Sequence, residues 1–380
     1  MPWQEVSTMQ LRHEFVRLVE QGSAVRPLCR RFGISPTTAY KWLARYRART
    51  ELTDQSRRPH QSPSRTVAEV EARVLELRAK HPAWGARKLR QRLMDLGHVM
   101  PAISTVHAIL KRHDCISAAA SEAAKPFQRF EHPASNDLWQ MDFKGHVAMR
   151  TARCHPLTVL DDHSRFNLCL AACGEETRPV VQSHLIHTFR RYGLPQRMTM
   201  DNGSPWGDTN RGGFTTMDVW LMKQGIRVSH SRPYHPQTQG KDERFHRTLK
   251  IELLQGTVHD DLVHAQRDFD TWREVYNQER PHEALNMAVP ATRYRASPRE
   301  YCEKPSPPEY ADPRRVRRIG DGGLLRWSGQ TYRVGKAFVS EPVEVRPTTD
   351  EHLFDVYWST TRIARIDVVE HTSISGRKLP

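Results

Sequence analysis

Apolar residues recur at helical spacing through the first 115 residues of the chain. One face of the first predicted helix carries Leu11, Phe15, Leu18 and Val19, and Gln21-Gly22-Ser23 ends it. A short second helix, AVRPLCRRF, stops at Gly33. Ser35 can then cap a third helix with Pro36 at its first position, and its apolar stripe consists of Ala39, Trp42, Leu43 and Tyr46. The pattern predicts three short helices with a glycine turn before the last.

This order is that of a helix-turn-helix unit, whose last helix enters the major groove of DNA. The outer face of the third helix would present side chains that can reach phosphates or base edges: Thr37, Thr38, Lys41 and Arg45. The alternative is a small three-helix bundle that binds protein. The basic outer face favours DNA.

Residues 54–65, DQSRRPHQSPSR, are poor in apolar residues and read as a flexible basic linker in which Arg57 and Arg58 can lie along a phosphate backbone. A second three-helix unit follows over residues 66–115, with its apolar positions at Val67, Val70, Val74, Leu77, Leu89, Leu93, Leu96, Ile103, Val106, Ile109 and Leu110. Two successive units of this kind predict a long or bipartite DNA site.

From Leu138 the pattern changes to strands. LWQMDFKGHVAM, HPLTVLDDHS and RFNLCLAAC predict three antiparallel strands, and helices then alternate with the short strands QRMTMD and IRVSHS. This is the order of an RNase H-like α/β domain. From about Arg315, alternating segments such as GLLRWSGQTYRV and EPVEVRP predict a small all-β barrel.

The resulting fold class is multidomain: N-terminal all-α helix-turn-helix units, a central α/β RNase H-like domain and a small C-terminal β-barrel. The expected boundaries are residues 1–53 and 66–115 for the two helical units, 135–300 for the α/β domain and 315–380 for the barrel. Linkers are expected at residues 54–65, 116–134 and 301–314.

Charge and composition narrow the class of partner. The formal net charge of the 380 residues is +15, and residues 1–130 contain 23 Lys and Arg against 11 Asp and Glu. A one-sided basic excess together with a DNA-reading motif favours nucleic acid. There is no apolar run long enough for a membrane span and no signal peptide pattern, so we expect a cytoplasmic, nucleoid-associated protein. The six cysteines include no CxxC pair, which argues against zinc and against a disulfide framework.

Asp142 and Asp201 occupy positions in predicted strands where an acidic side chain calls for a structural or functional explanation. Asp142 lies in the apolar strand LWQMDFKG, where an acid is costly unless it is paired or binds a cation. Asp201 ends the strand QRMTMD and begins the turn Asp-Asn-Gly, which places it at the carboxyl edge of the sheet. Each also has an ordinary interpretation, as an edge residue and as a turn residue.

The third place is the basic segment YHPQTQGKDERFHRTLK. In a helix beginning near Thr238, Glu243 shares a face with Arg247 and Lys250, whereas Asp242 is rotated by about 100° toward Phe245 and Leu249. The ordinary interpretation is a solvated Glu243–Arg247 ion pair. The functional interpretation is that the Glu243 carboxylate lies beside basic side chains that bind phosphate.

Together, WQMDFKG, TMDNGSPW and YHPQTQGKDERFHRTLK resemble the three signature blocks of the DDE transposase and retroviral integrase superfamily, especially its bacterial insertion-sequence branch. The resemblance covers residues 10–300 approximately. It implies that Asp142, Asp201 and Glu243 are the catalytic and metal-binding triad. It also implies that basic side chains around the third block, Lys241, Arg244, Arg247 and Lys250, contact DNA.

The resemblance further implies a DNA transposase with two Mg²⁺ or Mn²⁺ ions per active site. Such an enzyme binds the terminal inverted repeats of its element, cleaves the ends to expose 3′-OH groups and joins them to target DNA. Its partners are double-stranded DNA and a second copy of the chain, because two ends must be joined. Two alternatives stay open: a catalytically dead DNA-binding regulator derived from a transposase, and an RNase H-like nuclease.

Overall fold

The computed structural model describes residues 7–54, 66–116, 131–206, 213–230 and 240–376. The chain divides into two compact units, Met1–Arg65 and Thr66–Pro380. Arg57 and Arg58 lie outside the described residues, as does most of the predicted second linker. In the described ranges, no helix is both long and apolar enough to cross a membrane.

The first unit is a three-helix bundle formed by α1 (Thr8–Glu20), α2 (Val25–Phe32) and α3 (Pro36–Arg47). The hydroxyl of Ser35 accepts a hydrogen bond from the backbone N–H of Thr38, which fixes the start of α3. Phe15, Trp42 and other apolar side chains form the core. Tyr46 was predicted in the apolar stripe of α3, but it is exposed because the last turn of that helix extends past the core.

The second unit begins with another three-helix bundle, made of α4 (Ala68–Lys80), α5 (Ala86–Asp95) and α6 (Ile103–Arg112). Trp84, Leu89, Val106 and Ile109 are at its centre. Val67, predicted as part of this core, is 64% exposed because it precedes the first turn of α4.

The central domain is built on a mixed sheet of six strands: β1 (Trp139–Phe143), β2 (Val147–Ala148), β3 (Arg153–Asp161), β4 (Asn167–Cys173), β5 (Arg197–Met200) and β6 (Arg227–His230). β1, β3 and β4 are antiparallel, whereas β5 and β6 continue the sheet in parallel from β1. The resulting order, β4-β3-β1-β5-β6 with β2 beside β3, is the order expected for an RNase H-like domain.

One predicted strand is divided in the structure. The segment LWQMDFKGHVAM gives β1 and β2 instead of a continuous strand, because Gly145 between them has a φ of +85°. Such a left-handed backbone conformation interrupts a strand and is available to glycine without strain.

The sheet is covered by four helices: α7 (Arg178–Tyr192), α8 (Thr216–Lys223), α9 (Gly240–Leu249) and α10 (Leu262–Glu274). Short π-helical turns, Lys250–Leu254 and Val275–Glu279, continue α9 and α10, and α11 (Pro290–Arg293) follows. Trp139, Phe189 and Met198 belong to the core on one side of the sheet. Phe245, Phe269 and Trp272 belong to the core beneath α9 and α10.

The C-terminal region is antiparallel. β7 (Val316–Arg318), β10 (Pro342–Pro347), β11 (Leu353–Trp358), β12 (Thr361–Asp367) and β13 (Thr372–Ser375) form one sheet, and β8 (Leu324–Trp327) and β9 (Gln330–Arg333) form a hairpin. The hairpin adjoins both edges of the sheet, through a Gly320–Leu324 bridge and a hydrogen bond from the Ser373 hydroxyl to the Arg333 carbonyl. The arrangement is a small barrel closed by the hairpin.

Candidate functional site

Strand register brings two acids of distant sequence together. β1 and β5 are parallel neighbours in which Gln140 is opposite Thr199. Continuing this register by two residues places Asp142 opposite Asp201, at the carboxyl end of both strands. The pair therefore lies at the edge of the sheet where α/β domains collect their sites.

The electrostatics of Asp142 reflect this pairing. Burial, followed by the negative charge of Asp201, raises the pKa of Asp142 to about 7. His246 of α9 lies beside Asp142, with 3.8 Å between Nδ1 and Oδ2, and its Nε2 is 2.8 Å from the hydroxyl of Thr158. Burial lowers the pKa of His246 to about 3, so this imidazole is neutral and does not supply the positive charge that the two carboxylates attract.

Asp201 is fixed by the loop that it begins. Its Oδ1 accepts hydrogen bonds from the backbone N–H of Gly203 and from the indole N–H of Trp206. A Cβ at position 203 would lie 3.0 Å from the other carboxylate oxygen, so glycine lets the loop close around the carboxylate. Trp206 stacks on Phe143 at 5.1 Å, which ties this loop to the end of β1.

A second support reaches the backbone of Asp201. The carbonyl of Asp201 accepts a hydrogen bond from His230 Nδ1 at 2.7 Å, and His230 Nε2 is 2.9 Å from Asp218 Oδ1. Asp218 also accepts the backbone N–H of Thr215 in the capping box of α8. This chain connects the start of α8 with the end of β5.

The two acids of α9 lie in different environments, as the helical phase predicted. Asp242 is 1% exposed and shares the buried face with Phe245 and Leu249. Within the described residues, neither carboxylate oxygen of Asp242 has a hydrogen-bond partner, and burial, followed by the charge of Asp142, raises its pKa well above the usual value. Asp242 is thus closer to Asp142 than the sequence suggested.

Glu243 is exposed, and so are Arg244, Arg247 and Lys250. In the described ranges, no group of three or more His, Cys, Asp or Glu side chains is placed to hold a metal ion. The structure therefore brings Asp142 and Asp201 together and leaves Glu243 on the solvent face of α9. The assignment of Glu243 as the third acid stays a prediction.

Lys241 has a different environment from its basic neighbours. Its ammonium forms an ion pair with Asp162, which is 1% exposed and lies in the turn between β3 and β4. Asp162 also accepts hydrogen bonds from the Gln140 amide at 2.8 Å and from the backbone N–H of His132 at 2.9 Å. Lys241, predicted as a DNA contact, is thus directed into the protein and joins the first turn of α9 to the sheet.

Of the residues of α3 predicted to contact DNA, some are exposed to solvent and others are engaged in contacts within the bundle. Thr37 and Lys41 are exposed, whereas Thr38 shares the N-terminal cap with Ser35. Arg45 donates a hydrogen bond to the carbonyl of Thr53 and lies 4.9 Å from the centre of the Trp42 ring. Their contact with DNA stays a prediction.

No sequence pattern singled out the residues that support Asp142, Asp201 and the first turn of α9: Asp162, Asp218 and His230. Asp162 falls within HPLTVLDDHS, a segment predicted as a strand with no role given to its acids. The available indication was its unusual place in an apolar strand pair, since a buried carboxylate needs a partner.

Family models match most of the chain in separate segments. Two models of an integrase core domain match residues 132–236 and 224–290, and the C-terminal domain of the IS481 transposase family matches residues 314–374. A helix-turn-helix model matches residues 11–60 and a homeodomain-like model residues 38–110.

Curated relatives come from insertion elements. An uncharacterized 31.7 kDa protein of insertion element IS407 from Burkholderia multivorans is 27% identical over 43% of this chain and 58% of its own length. An uncharacterized 39.2 kDa protein of insertion element IS476 from Xanthomonas euvesicatoria is 26% identical over 60% of this chain and 65% of its own length. The chain thus spans about three fifths of the length of these relatives.

Among solved structures, the HTLV-2 integrase catalytic core domain in complex with magnesium matches 43% of this chain and 99% of that one, with 13% identity and a TM-score of 0.32. The segmental matches follow the described architecture, from the N-terminal helices through the mixed sheet to the C-terminal strands. The chain therefore carries an integrase core domain followed by the C-terminal domain of the IS481 transposase family, and it is similar to proteins of bacterial insertion elements.

Proposed function

We propose that this protein is a DNA transposase of an insertion sequence, a polynucleotidyl transferase that cleaves the element ends and joins them to target DNA. The observation that carries the proposal is the Asp142–Asp201 pair at the sheet edge of an integrase core domain. The pKa of Asp142 is raised by burial and by repulsion from the charge of Asp201. A cation bound between the two carboxylates would stabilise their ionised forms and so offset both effects.

The donor set fits a hard divalent cation. Carboxylate oxygens are the ligands that Mg²⁺ and Mn²⁺ prefer, and Asp142 and Asp201 supply them from adjacent strands. We assign Glu243 as the third ligand, from the exposed face of α9. When bound, two such ions supply activation of the attacking oxygen and stabilisation of the leaving oxygen.

The residues of the chain hold and orient these reactants. Gly203, Trp206 and the His230–Asp218 pair fix Asp201, so its carboxylate needs little reorganisation. The exposed cations Arg244 and Arg247 lie on the same helix as Glu243, and Lys250 begins the π-helical turn that continues it. These three side chains can hold the phosphates of a DNA end.

The reaction has two substitutions at phosphorus. In cleavage, the oxygen of a water molecule bonds to the phosphorus at the element end, the bond to the 3′ oxygen breaks, and that oxygen leaves as a 3′-OH. In joining, this 3′ oxygen bonds to a phosphorus of the target and displaces the target's own 3′ oxygen. No covalent enzyme intermediate is required.

Duplex DNA is the proposed partner of both helix-turn-helix units, with the terminal inverted repeats as the specific site. The basic excess of the first 130 residues supports this assignment. A cytoplasmic, nucleoid-associated location and at least a dimer on DNA belong to the same proposal. A dead regulator and an RNase H-like nuclease are the rival functions.

A strand-transfer assay with Mg²⁺ and labelled duplexes carrying the element ends tests the proposal. Glu243→Gln keeps the size of the side chain but removes its charge, so cleavage and joining should fall by orders of magnitude with DNA binding retained. Asp242→Asn, one residue away on the buried face, is the matched control and should retain most activity.

Three results would overturn parts of this assignment. A wild-type chain that binds the ends without cutting them is a regulator, and one that cuts only RNA:DNA hybrids is a nuclease. Loss of activity in Asp242→Asn with full activity in Glu243→Gln would transfer the third ligand to Asp242.

A further inference from the structure

A basic cleft lies where the second three-helix bundle meets the central domain. It has a volume of about 560 Å³, and its lining consists of Gly85, Ala86, Arg87, Lys88, Ile103, Ser104, His107 and Glu283. The first turns of α5 and α6 contribute most of these residues, and Glu283 comes from the central domain. The cleft therefore has walls from both domains.

Lys88 is the unusual member of this cleft. Among the described residues, no carboxylate lies within ion-pair distance of its ammonium, although the side chain is half-buried. A partly desolvated cation without a close counter-ion is costly, and an anion entering the cleft would offset that cost. Burial also lowers the pKa of Lys88 to about 8, so it stays mostly protonated at neutral pH.

Two helix N-termini reinforce the positive character of the cleft. The N-cap residues of α5 and α6, Gly85 and Ala102, make no side-chain capping hydrogen bond. In the described part of the chain the Thr105 N–H donates to the Ala102 carbonyl, whereas the N–H groups of Arg87 and Ser104 can donate to an acceptor, and the helix dipoles favour negative charge there. Arg87 and His107 are exposed beside them.

The bundle that forms most of the cleft is attached to the central domain. Arg92 of α5 forms a 2.8 Å ion pair with Glu279 of the central domain, and Val275 packs against the core of the bundle. Besides burial, the positive charges of Arg280 and, more weakly, of Arg244 in α9 lower the pKa of Lys88, whereas the charges of Glu252 and Glu283 raise it. Basic groups therefore continue from the bundle to the helix that carries the third acid.

From this geometry we infer that the Lys88 cleft binds a backbone phosphate of duplex DNA and guides that duplex from α6 toward α9. Arg87 and Lys88 supply the charge, and the first turns of α5 and α6 supply N–H donors. The assignment rests on the proposed DNA-binding function and adds a contact that is independent of base sequence. The negative charge of Glu283, which also lines the cleft, repels the phosphate and weakens its binding to Arg87 and Lys88.

The test uses the full chain and a fluorescein-labelled DNA duplex of arbitrary sequence, since a phosphate contact needs no particular bases. Dissociation constants measured over a series of NaCl concentrations give the slope of log K against log salt. Lys88→Gln should weaken binding roughly tenfold near 0.1 M salt and reduce the slope by about 0.9, the change for one phosphate contact. Lys88→Arg should restore both.

Two further variants check the direction of the effect. Glu283→Gln should tighten binding, because it removes the carboxylate that lines the cleft. Lys80→Gln is the matched control: it removes one exposed lysine of the same bundle outside the cleft lining and should leave the slope unchanged.

An unchanged slope in Lys88→Gln, with thermal melting that shows an intact fold, would overturn the inference. A chain that binds no duplex would overturn it as well. A chain that binds with the expected slopes but neither cuts nor joins DNA would contradict the proposed enzyme while supporting the cleft.

Discussion

At the scale of single residues, adjacent positions in α9 have opposite environments. Asp242 is buried and makes no side-chain hydrogen bond to the part of the chain that the structure describes, and Glu243 is exposed beside Arg244. A rotation of about 100° per residue is sufficient to separate them. Glu243 is therefore open to solvent, whereas Asp242 is a buried carboxyl whose ionisation disfavours the folded state.

Asp242→Asn should raise the melting temperature at neutral pH by a few degrees, because the amide avoids burying a charge without partners. The pKa of Asp242 is raised in the folded protein, so its ionisation disfavours the native state above the pKa of the unfolded chain. The difference should shrink as the pH falls toward about 4, where the unfolded carboxyl is also protonated. Thermal melts of both proteins across this range provide the measurement, and a melting point lowered at pH 7 would contradict the expectation.

Lys88→Met should stabilise the DNA-free protein by about 1–3 kcal/mol at pH 7, because methionine fills similar space without a desolvated charge. The folded pKa of about 8 lies below the usual lysine value. The native lysine therefore loses its proton between pH 8 and about 10.4 while the unfolded one keeps it, and the wild type gains stability there. Urea unfolding at pH 7 and 10 should show the advantage of the variant decreasing, whereas a constant advantage would indicate a packing effect alone.

At the scale of elements, the first turn of α9 is attached to the turn between β3 and β4. The Lys241–Asp162 ion pair makes this attachment, and Gln140 of β1 shares the same carboxylate. Because β1 also carries Asp142, one buried group links the two elements that present candidate acids.

Asp162→Asn and Lys241→Met should each destabilise the protein by about 3–5 kcal/mol, since each leaves a buried charge without its partner. The double variant should lose less free energy of unfolding than the sum of the losses in the two single variants. Amide hydrogen exchange should show loss of protection in the first turn of α9, with α7 as an internal reference. Additive single and double effects would show that the ion pair does not carry the attachment.

At the scale of the whole molecule, the central domain contacts both the second three-helix bundle and the C-terminal barrel. The second three-helix bundle is joined to the central domain through Arg92–Glu279, and the C-terminal barrel packs against α8 through Val219. Elements that support Asp201 therefore also contact the barrel, since α8 carries Asp218.

Assembly belongs to this scale, because joining two element ends requires two sets of DNA contacts. We expect at least a dimer when the full chain is mixed with duplexes carrying the element ends. Sedimentation velocity with labelled duplex measures the stoichiometry, with a duplex of unrelated sequence as the control. An active complex of one chain on one end would contradict this expectation.

Much of the architecture was predictable because it depends on local sequence. Ser35 and Pro36 define the start of α3, the pattern of residues 178–192 defines α7, and the phase of α9 separates Asp242 from Glu243. Caps, periodicity and helical rotation involve residues only a few positions apart. The succession of three antiparallel strands followed by alternating helices and strands was also predicted from local patterns, and the structure has it.

Contacts between distant segments were decided by the tertiary structure alone. The register of β1 and β5 sets Asp142 opposite Asp201, the turn after β3 receives Lys241, and Glu283 completes a cleft begun by α5 and α6. Hydrophobic patterning specifies which face of an element is buried, but the same pattern fits many partners and registers. The sequence by itself determined which residue types could perform phosphoryl transfer. Only the packing of the sheet and helices decided which of them meet, because that depends on long-range pairing.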